Sequence, residues 1–140
     1  MAENLTLRVK NAFAEIPEAN EAASRWLAEN NAPTSAEYLA NLAIEEFVTN
    51  SIKYGYADSA EHVIEIVLEL SSGELVVVIT DDGKPFNPLE SPEPDTSLPV
   101  EERPIGGLGI YLLRKMFDQM DYARTDGKNR VTLRKALVRK

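Results

Sequence analysis

Glu46 and Asn50 stand four residues apart in a stretch that otherwise has the apolar periodicity of a buried helix. At this spacing two side chains lie on the same face of a helix, one turn apart. Leu39, Leu42 and Ala43 fall on the same stripe, so we expect this face to pack against the rest of the fold. Burying a polar group without a partner costs roughly 2–7 kcal/mol, and a charge costs more. The helix is therefore expected to serve a metal, a phosphate or a proton transfer.

Length and composition limit the class of protein. The 140-residue chain suits one domain with one core, and we predict a single domain over residues 1–140. It contains no cysteine and one histidine, which excludes disulfides, thiolate sites and multi-histidine metal sites. No apolar run approaches the roughly 20 residues of a membrane helix, and no signal-peptide pattern is present, so we expect a cytoplasmic protein without a membrane partner. The net charge of −8 argues against broad nucleic-acid binding, and we expect no nucleic-acid partner.

Strand-like and helix-like patterns alternate along the chain. The strand-like segments are residues 5–9, 63–70, 75–80, 122–124 and 130–137. The helix-like segments are residues 17–30, 39–54 and 110–120. Thr34 or Ser35 is expected to cap the second helix and Gly55 to end it, while Asp126-Gly127 predicts a tight turn in the last hairpin.

Residues 84–105 differ in composition from the rest of the chain. Between residues 84 and 104 there are six prolines and many acidic residues, without apolar periodicity. This pattern predicts a long loop, and loops beyond about 12–15 residues in a compact domain are usually functional or disordered.

Asp81 and Gly83 follow directly after the apolar strand 75–80. A carboxylate at a strand end can accept a hydrogen bond from an amino group, and a glycine two positions later lets the backbone approach a flat ligand. Adenine is such a ligand. Asp-Asp-Gly is also an ordinary turn sequence, so this segment alone leaves both interpretations open.

Gly106-Gly107-Leu108-Gly109 stands directly before the third helix. Backbone N–H groups at a glycine-rich helix start can converge on an anion, and the helix dipole favours negative charge there. A phosphate chain would fit, although a flexible hinge is equally compatible with this segment alone. The Gly-Lys-Ser/Thr ending of a P-loop is missing, and no βαβ unit surrounds the segment.

In their order these three features resemble the ATP-binding fold shared by DNA gyrase, heat-shock chaperones, histidine kinases and mismatch-repair ATPases. The chain more closely resembles the anti-sigma-factor serine kinases. Their boxes read Glu-x-x-x-Asn with an aromatic tail, Asp-x-Gly-x-Pro-Phe, and Gly-x-Gly before an aliphatic helix and Asp. The matching residues are Glu46 to Asn50 with Tyr54-Gly55-Tyr56, then Asp81-Asp82-Gly83-Lys84-Pro85-Phe86, then Gly107-Leu108-Gly109 with the helix up to Asp118.

The resemblance implies an α/β (α+β) two-layer sandwich, in which three helices cover one face of a mostly antiparallel, mixed sheet. It implies ATP between helices and sheet, with residues 84–105 as a lid. Glu46 would be the general base and Asn50 a ligand of Mg²⁺. Asp81 would bind the adenine amine, beside Gly83. Burial would raise the pKa of Glu46 and Mg²⁺ would lower it, so the direction stays open.

The resemblance also implies that Gly107, Leu108 and Gly109 present backbone donors to the phosphates. Thr132 matches a position that often helps to hold adenine, with an ordinary strand threonine as the alternative. The implied function is a Mg·ATP-dependent protein serine/threonine kinase that acts as an anti-sigma factor. Its expected partners are a small anti-anti-sigma (STAS-type) protein, a sigma factor and a second copy of the chain. The alternative is a non-catalytic binding module whose hold on a partner depends on the nucleotide.

Overall fold

Five strands form one antiparallel sheet in the computed structural model, which describes residues 3–71, 73–90 and 107–137. The strands are β1 (Glu3–Lys10), β2 (Val63–Ser71), β3 (Glu74–Asp81), β4 (Gln119–Thr125) and β5 (Lys128–Ala136). The helices are α1 (Glu15–Glu29), α2 (Thr34–Asn50) and α3 (Gly107–Met116). A π-helical turn, Ser51–Gly55, continues α2, and a short 3₁₀ turn spans Pro88–Glu90.

The sheet order is β1-β2-β3-β5-β4, and all four neighbouring pairs are antiparallel. Alternate residues of each strand point to one face because successive side chains of a strand point to opposite sides. On β2 the buried members of this alternation include Ile64, Ile66 and Leu68, which join residues of the three helices in one core. The expected two-layer fold with helices on one face is thus confirmed, and among the described strands the sheet has no parallel pair.

Both expected hairpins are present. β2 and β3 pair in the register Leu70↔Leu75, and β4 and β5 pair in the register Thr125↔Lys128. Asp126 and Gly127 have φ values of 54° and 75°. Two central residues with positive φ give the turn that matches the twist of a two-residue hairpin, which is why Asp-Gly predicted it.

Several helix boundaries differ from the expectation, since α1 begins at Glu15 and α3 begins at Gly107. The N-cap of α2 is Pro33, whose extended backbone offers its carbonyl oxygen to the Ala36 N–H at 2.9 Å, so neither Thr34 nor Ser35 is the cap. The third helix ends at Met116 rather than at residue 120. The chain then joins the sheet, because the Asp118 N–H donates to the Arg134 carbonyl at 2.9 Å.

The helices contain no stretch, within the described residues, that is both long and apolar enough to cross a membrane. Residues 91–106, most of the expected lid, lie outside the described part of the chain.

Candidate functional site

A cavity of about 160 Å³ lies where the end of α2 meets the ends of β3 and β5. Asn50 and Ser51 line it from the helical side, and Asp81 and Asn129 line it from the sheet. These sheet residues are cross-strand neighbours in the register Asp81↔Asn129. The fold therefore brings residues of the first and second boxes to one cavity.

The Asp81 carboxylate is held by three donors. The Ser51 hydroxyl donates to Oδ2 at 2.8 Å, while the Gly83 N–H and Asn129 Nδ2 donate to Oδ1 at 2.9 and 3.0 Å. Ser51 reaches this carboxylate because the π-helical turn begins directly after Asn50, and such turns are frequent at functional sites. The carboxylate is thus fixed by the folded chain and still faces the cavity.

Asn129 is a site residue that the sequence analysis missed. It is only 4% exposed and faces the helix layer in line with Val131 and Leu133. The available signal was a carboxamide at an inward position of an otherwise apolar alternation. Thr132 falls on the opposite face, next to Asp121 and Val78 in the sheet register, and does not line the cavity. The structure therefore gives Asn129, and not Thr132, the place beside Asp81.

Gly83 is required by the backbone of Gly55. A Cβ atom at Gly83 would lie 2.8 Å from the Gly55 carbonyl oxygen and 3.2 Å from Asp81 Oδ1. The same Gly55 carbonyl accepts a hydrogen bond from the Lys84 N–H at 2.7 Å. Gly83 therefore allows the second box to pack on the end of the first, a close approach of two chain segments that the sequence analysis did not anticipate.

Glu46 lies against the start of α3. A Cβ atom at Gly109 would overlap the Glu46 carboxylate, so this position leaves room for Glu46 only because it is glycine. Burial raises the pKa of Glu46 above its ordinary value; repulsion from Glu45 adds to the rise, and Lys53 opposes it. Among the effects of the chain itself, desolvation is the largest, so it sets the upward direction of the Glu46 pKa shift that the sequence left open. Glu45, the preceding residue, is exposed.

Gly107, Leu108 and Gly109 form the first turn of α3. The first N–H groups of a helix have no partner within the helix and carry its positive dipole end. Since the Glu46 carboxylate touches Gly109, the third box meets the first box at this point. The three boxes are thus joined in pairs, through Glu46 and Gly109 on one side and Gly55 and Gly83 on the other.

The Asn50 carboxamide could supply one oxygen ligand to a magnesium ion. Asn50 lines the cavity, and its carboxamide makes no hydrogen bond with another described residue, so its oxygen can bind a ligand. Mg²⁺ prefers oxygen ligands and is commonly held by one or two protein groups, with water and phosphates completing the shell. The described residues contain no group of three or more acidic, histidine or cysteine side chains close enough to bind a metal.

His62, near the second box, lies between two carboxylates. Its Nε2 is 2.8 Å from Asp58 Oδ1, and its Nδ1 is 3.2 Å from each carboxylate oxygen of Asp82. The imidazole also stacks on Tyr56, with ring centroids 4.1 Å apart. The hydrogen bonds to Asp58 and Asp82 raise the pKa of His62 above its ordinary value. The ring thus ties the segment after the first box to the end of β3.

The sequence profile of the histidine kinase-like ATPase domain matches residues 9–135. The serine/threonine-protein kinase BtrW of Bordetella bronchiseptica is 25% identical over 66% of this chain and 65% of its own length. The anti-sigma F factor of Clostridium botulinum is 38% identical over 54% of this chain and 53% of its own length.

The serine-protein kinase RsbW of Bacillus cereus is 33% identical over 61% of this chain and 56% of its own length. The matched regions of these relatives thus cover between about half and two thirds of their lengths. A crystal structure of the RsbU and RsbW domains of a Mycobacterium tuberculosis protein superposes with a TM-score of 0.67 at 19% identity, covering 99% of this chain and 33% of that one.

The superposition shows the same fold, and the profile match extends over nearly all of the chain. The residues that join the three boxes all lie inside the matched range 9–135. The chain belongs to the histidine kinase-like ATPase domain family.

Proposed function

We propose that this chain is a Mg·ATP-dependent protein serine/threonine kinase that acts as an anti-sigma factor. It transfers the γ-phosphoryl group of ATP to a hydroxyl group of a small anti-anti-sigma protein of the STAS type, and it binds a sigma factor. Support for the partners comes from the similarity to proteins named anti-sigma F factor and serine-protein kinase RsbW. The same similarity motivates the proposal of a homodimer.

One observation carries the proposal: a desolvated carboxylate lies at the helix start that would receive the phosphates. Glu46 touches Gly109 in the first turn of α3 and stands one helical turn before Asn50, which lines the cavity. A general base works best when its pKa lies near the working pH, and burial moves the pKa of Glu46 upward in that direction. A purely structural helix would gain nothing from a half-buried carboxylate that has no hydrogen-bond partner among the described residues.

The residues then have separate roles. Asp81 accepts a hydrogen bond from the adenine amine, and the first turn of α3 offers its N–H groups to the phosphates. Glu46 takes the proton of the substrate hydroxyl while that oxygen bonds to the γ-phosphorus and the bond to the ADP oxygen breaks. Asn50 would hold Mg²⁺, which neutralises charge on the phosphates when it is bound.

The test measures phosphate transfer from radiolabelled Mg·ATP to candidate partner proteins at pH 8. We compare the wild type with Glu46→Gln and Asn50→Ala, using Glu45→Gln as the matched control because Glu45 is an exposed neighbour on the same helix. Glu46→Gln should keep ATP binding and lose about 10²–10⁴-fold in transfer, the usual contribution of a general base. Asn50→Ala should lose metal-dependent ATP binding, and Glu45→Gln should behave as the wild type.

Two results would reject parts of the proposal. Equal transfer by the wild type and Glu46→Gln would remove the assigned base. ATP binding without any phosphorylated partner, together with a partner affinity that differs between ADP and ATP, would establish the non-catalytic module instead.

A further inference from the structure

Asn129 makes four hydrogen bonds with one carboxamide. Its Nδ2 donates to Asp81 Oδ1 at 3.0 Å and to the Lys84 carbonyl oxygen at 2.7 Å. Its Oδ1 accepts from the Phe86 N–H at 3.2 Å and from the Tyr122 hydroxyl at 2.6 Å. Asn129 is only 4% exposed, so solvent does not reach the carboxamide, and these four bonds use its two donor and two acceptor positions.

The partners determine which way the carboxamide points. Two acceptors, Asp81 Oδ1 and the Lys84 carbonyl, lie on one side, while two donors from Phe86 and Tyr122 lie on the other. A flipped amide would set donor against donor and acceptor against acceptor. Aspartate has the same shape but would place an oxygen against two acceptors, and serine is too short to span the four groups. Among common side chains of this size, only asparagine satisfies all four.

This arrangement also decides which oxygen of Asp81 is free. Oδ1 already accepts two hydrogen bonds, from the Gly83 N–H and from Asn129 Nδ2. Oδ2 accepts one, from the Ser51 hydroxyl, so within the described residues it retains an acceptor position. A carboxylate oxygen accepts about two strong hydrogen bonds, which leaves Oδ2 as the oxygen open to a ligand.

We propose that Asn129 is the positioning residue for adenine recognition, because it saturates Oδ1 of Asp81 and presents Oδ2 to the exocyclic amine. This inference rests on the proposed binding of ATP. The same carboxamide holds the backbone of Lys84 and Phe86, where the segment 84–105 begins, so adenine recognition and the start of that segment share one anchor. The effect of Asn129 is on the selection of the base and not on the phosphate end.

The test compares the affinities of the purified chain for ATP and ITP, which carries a carbonyl in place of the adenine amine. The wild type should prefer ATP at least about tenfold, as expected for a hydrogen bond to a charged group. Asn129→Asp should bring the ATP/ITP ratio to within about twofold of one, by weakening ATP binding and leaving ITP binding nearly unchanged. Tyr122→Phe is the matched control, since it removes one donor to Asn129 and leaves the bond to Asp81; it should keep the wild-type ratio.

Asn129→Ser provides a second variant, because it removes the contact with Asp81 without adding a charge, and it should also lose the preference for ATP. If either Asn129 variant is folded and keeps the wild-type ratio, the inference is wrong. Equal weakening of ATP and ITP would show a structural role only and also overturn it. A wild type that binds ATP and ITP equally would instead reject the adenine role of Asp81, on which this inference rests, and a wild type that binds neither nucleotide would reject the proposed ATP site.

Discussion

The sheet end and the helix end of the candidate site differ in whether the chain itself satisfies the hydrogen bonds of their side chains. At the sheet end, Asp81 and Asn129 are hydrogen-bonded to each other and to five further groups of the chain. At the helix end, the side chains of Glu46 and Asn50 make no hydrogen bond with another described residue. Folding therefore completes the first end, whereas the second end is left for a ligand to complete.

This difference separates stability from activity. A pre-bonded cluster stabilises the fold, so its substitutions should lower both stability and ligand affinity. A desolvated carboxylate that makes no hydrogen bond with the described residues lowers the stability of the fold. Its replacement should therefore impair the chemistry and raise the stability. The following predictions test the contrast.

Glu46→Gln should have the largest effect on activity and the opposite effect on stability. A folded-state pKa raised by burial means that ionised Glu46 disfavours folding, and this cost appears as pH rises from the unfolded value toward and through the folded value. At pH 7–8 the glutamine variant should therefore melt at a higher temperature than the wild type, while its transfer falls about 10²–10⁴-fold. Thermal melting of both proteins at pH 5 and pH 8 measures this difference. A variant that melts at a lower temperature than the wild type at pH 8 would contradict the prediction.

Gly83→Ala should damage the sheet end. Its new Cβ would lie 2.8 Å from the Gly55 carbonyl oxygen, a backbone atom that cannot move aside without disturbing the first box. Overpacking of this kind usually costs about 1–3 kcal/mol, so both the melting temperature and the ATP affinity should fall. Unchanged melting with normal ATP binding would show that this end is not rigid.

Gly109→Ala is the corresponding change at the helix end, and it should spare stability. The new Cβ would displace the Glu46 carboxylate, which is the far end of a flexible side chain. Alanine is also the better helix former, by about 1 kcal/mol in helix interiors. We expect an unchanged or raised melting temperature and a fall in transfer of up to about 10²-fold from misplacement of the base. Steady-state kinetics should show the loss in kcat more than in KM for ATP.

The same contrast explains how much the sequence could predict. Periodicity and turn residues predicted the five strands and three α-helices that the structure describes, since alternation, Asp126-Gly127 and Gly55 act locally. Glu46, Asp81 and Gly109 were candidates because each breaks a local pattern or matches a box, and the fold brings these boxes together.

The partners of these residues depend on register and could not be read locally. Asn129 reaches Asp81 because β3 and β5 pair in the register Asp81↔Asn129. Thr132, the expected residue, lies three residues further along β5, so its side chain points to the opposite face of the sheet. Likewise, the contact of Gly83 with Gly55 depends on how α2 ends above β3. The end of α3 was misjudged because Met120 fits the apolar spacing of a helix and also the inward face of β4.

The smallest effect on stability is expected at His62, which lies at the outer margin of the sheet end. Its two ring nitrogens face Asp58 and Asp82, and its ring stacks on Tyr56. Because the pKa of His62 is raised by these carboxylates, its stabilisation should be complete below the ordinary histidine value and should disappear as pH rises through the folded value. The pKa of Asp58 is lowered by the same hydrogen bond, so the contact should also fail in acid, as pH falls through that lowered value.

His62 is the only histidine of the chain, so its imidazole C–H signals can be followed by NMR without overlap. They should titrate above the ordinary value of about 6.5 in the wild type, and nearer to it when Asp58→Asn and Asp82→Asn remove the partners. The fall in melting temperature between pH 6 and pH 8.5 should be slightly smaller in His62→Gln than in the wild type. If His62 titrates at the ordinary value in the folded wild type, the hydrogen-bonded cluster stops at Asp81. The sheet end would then consist only of the residues that line the cavity.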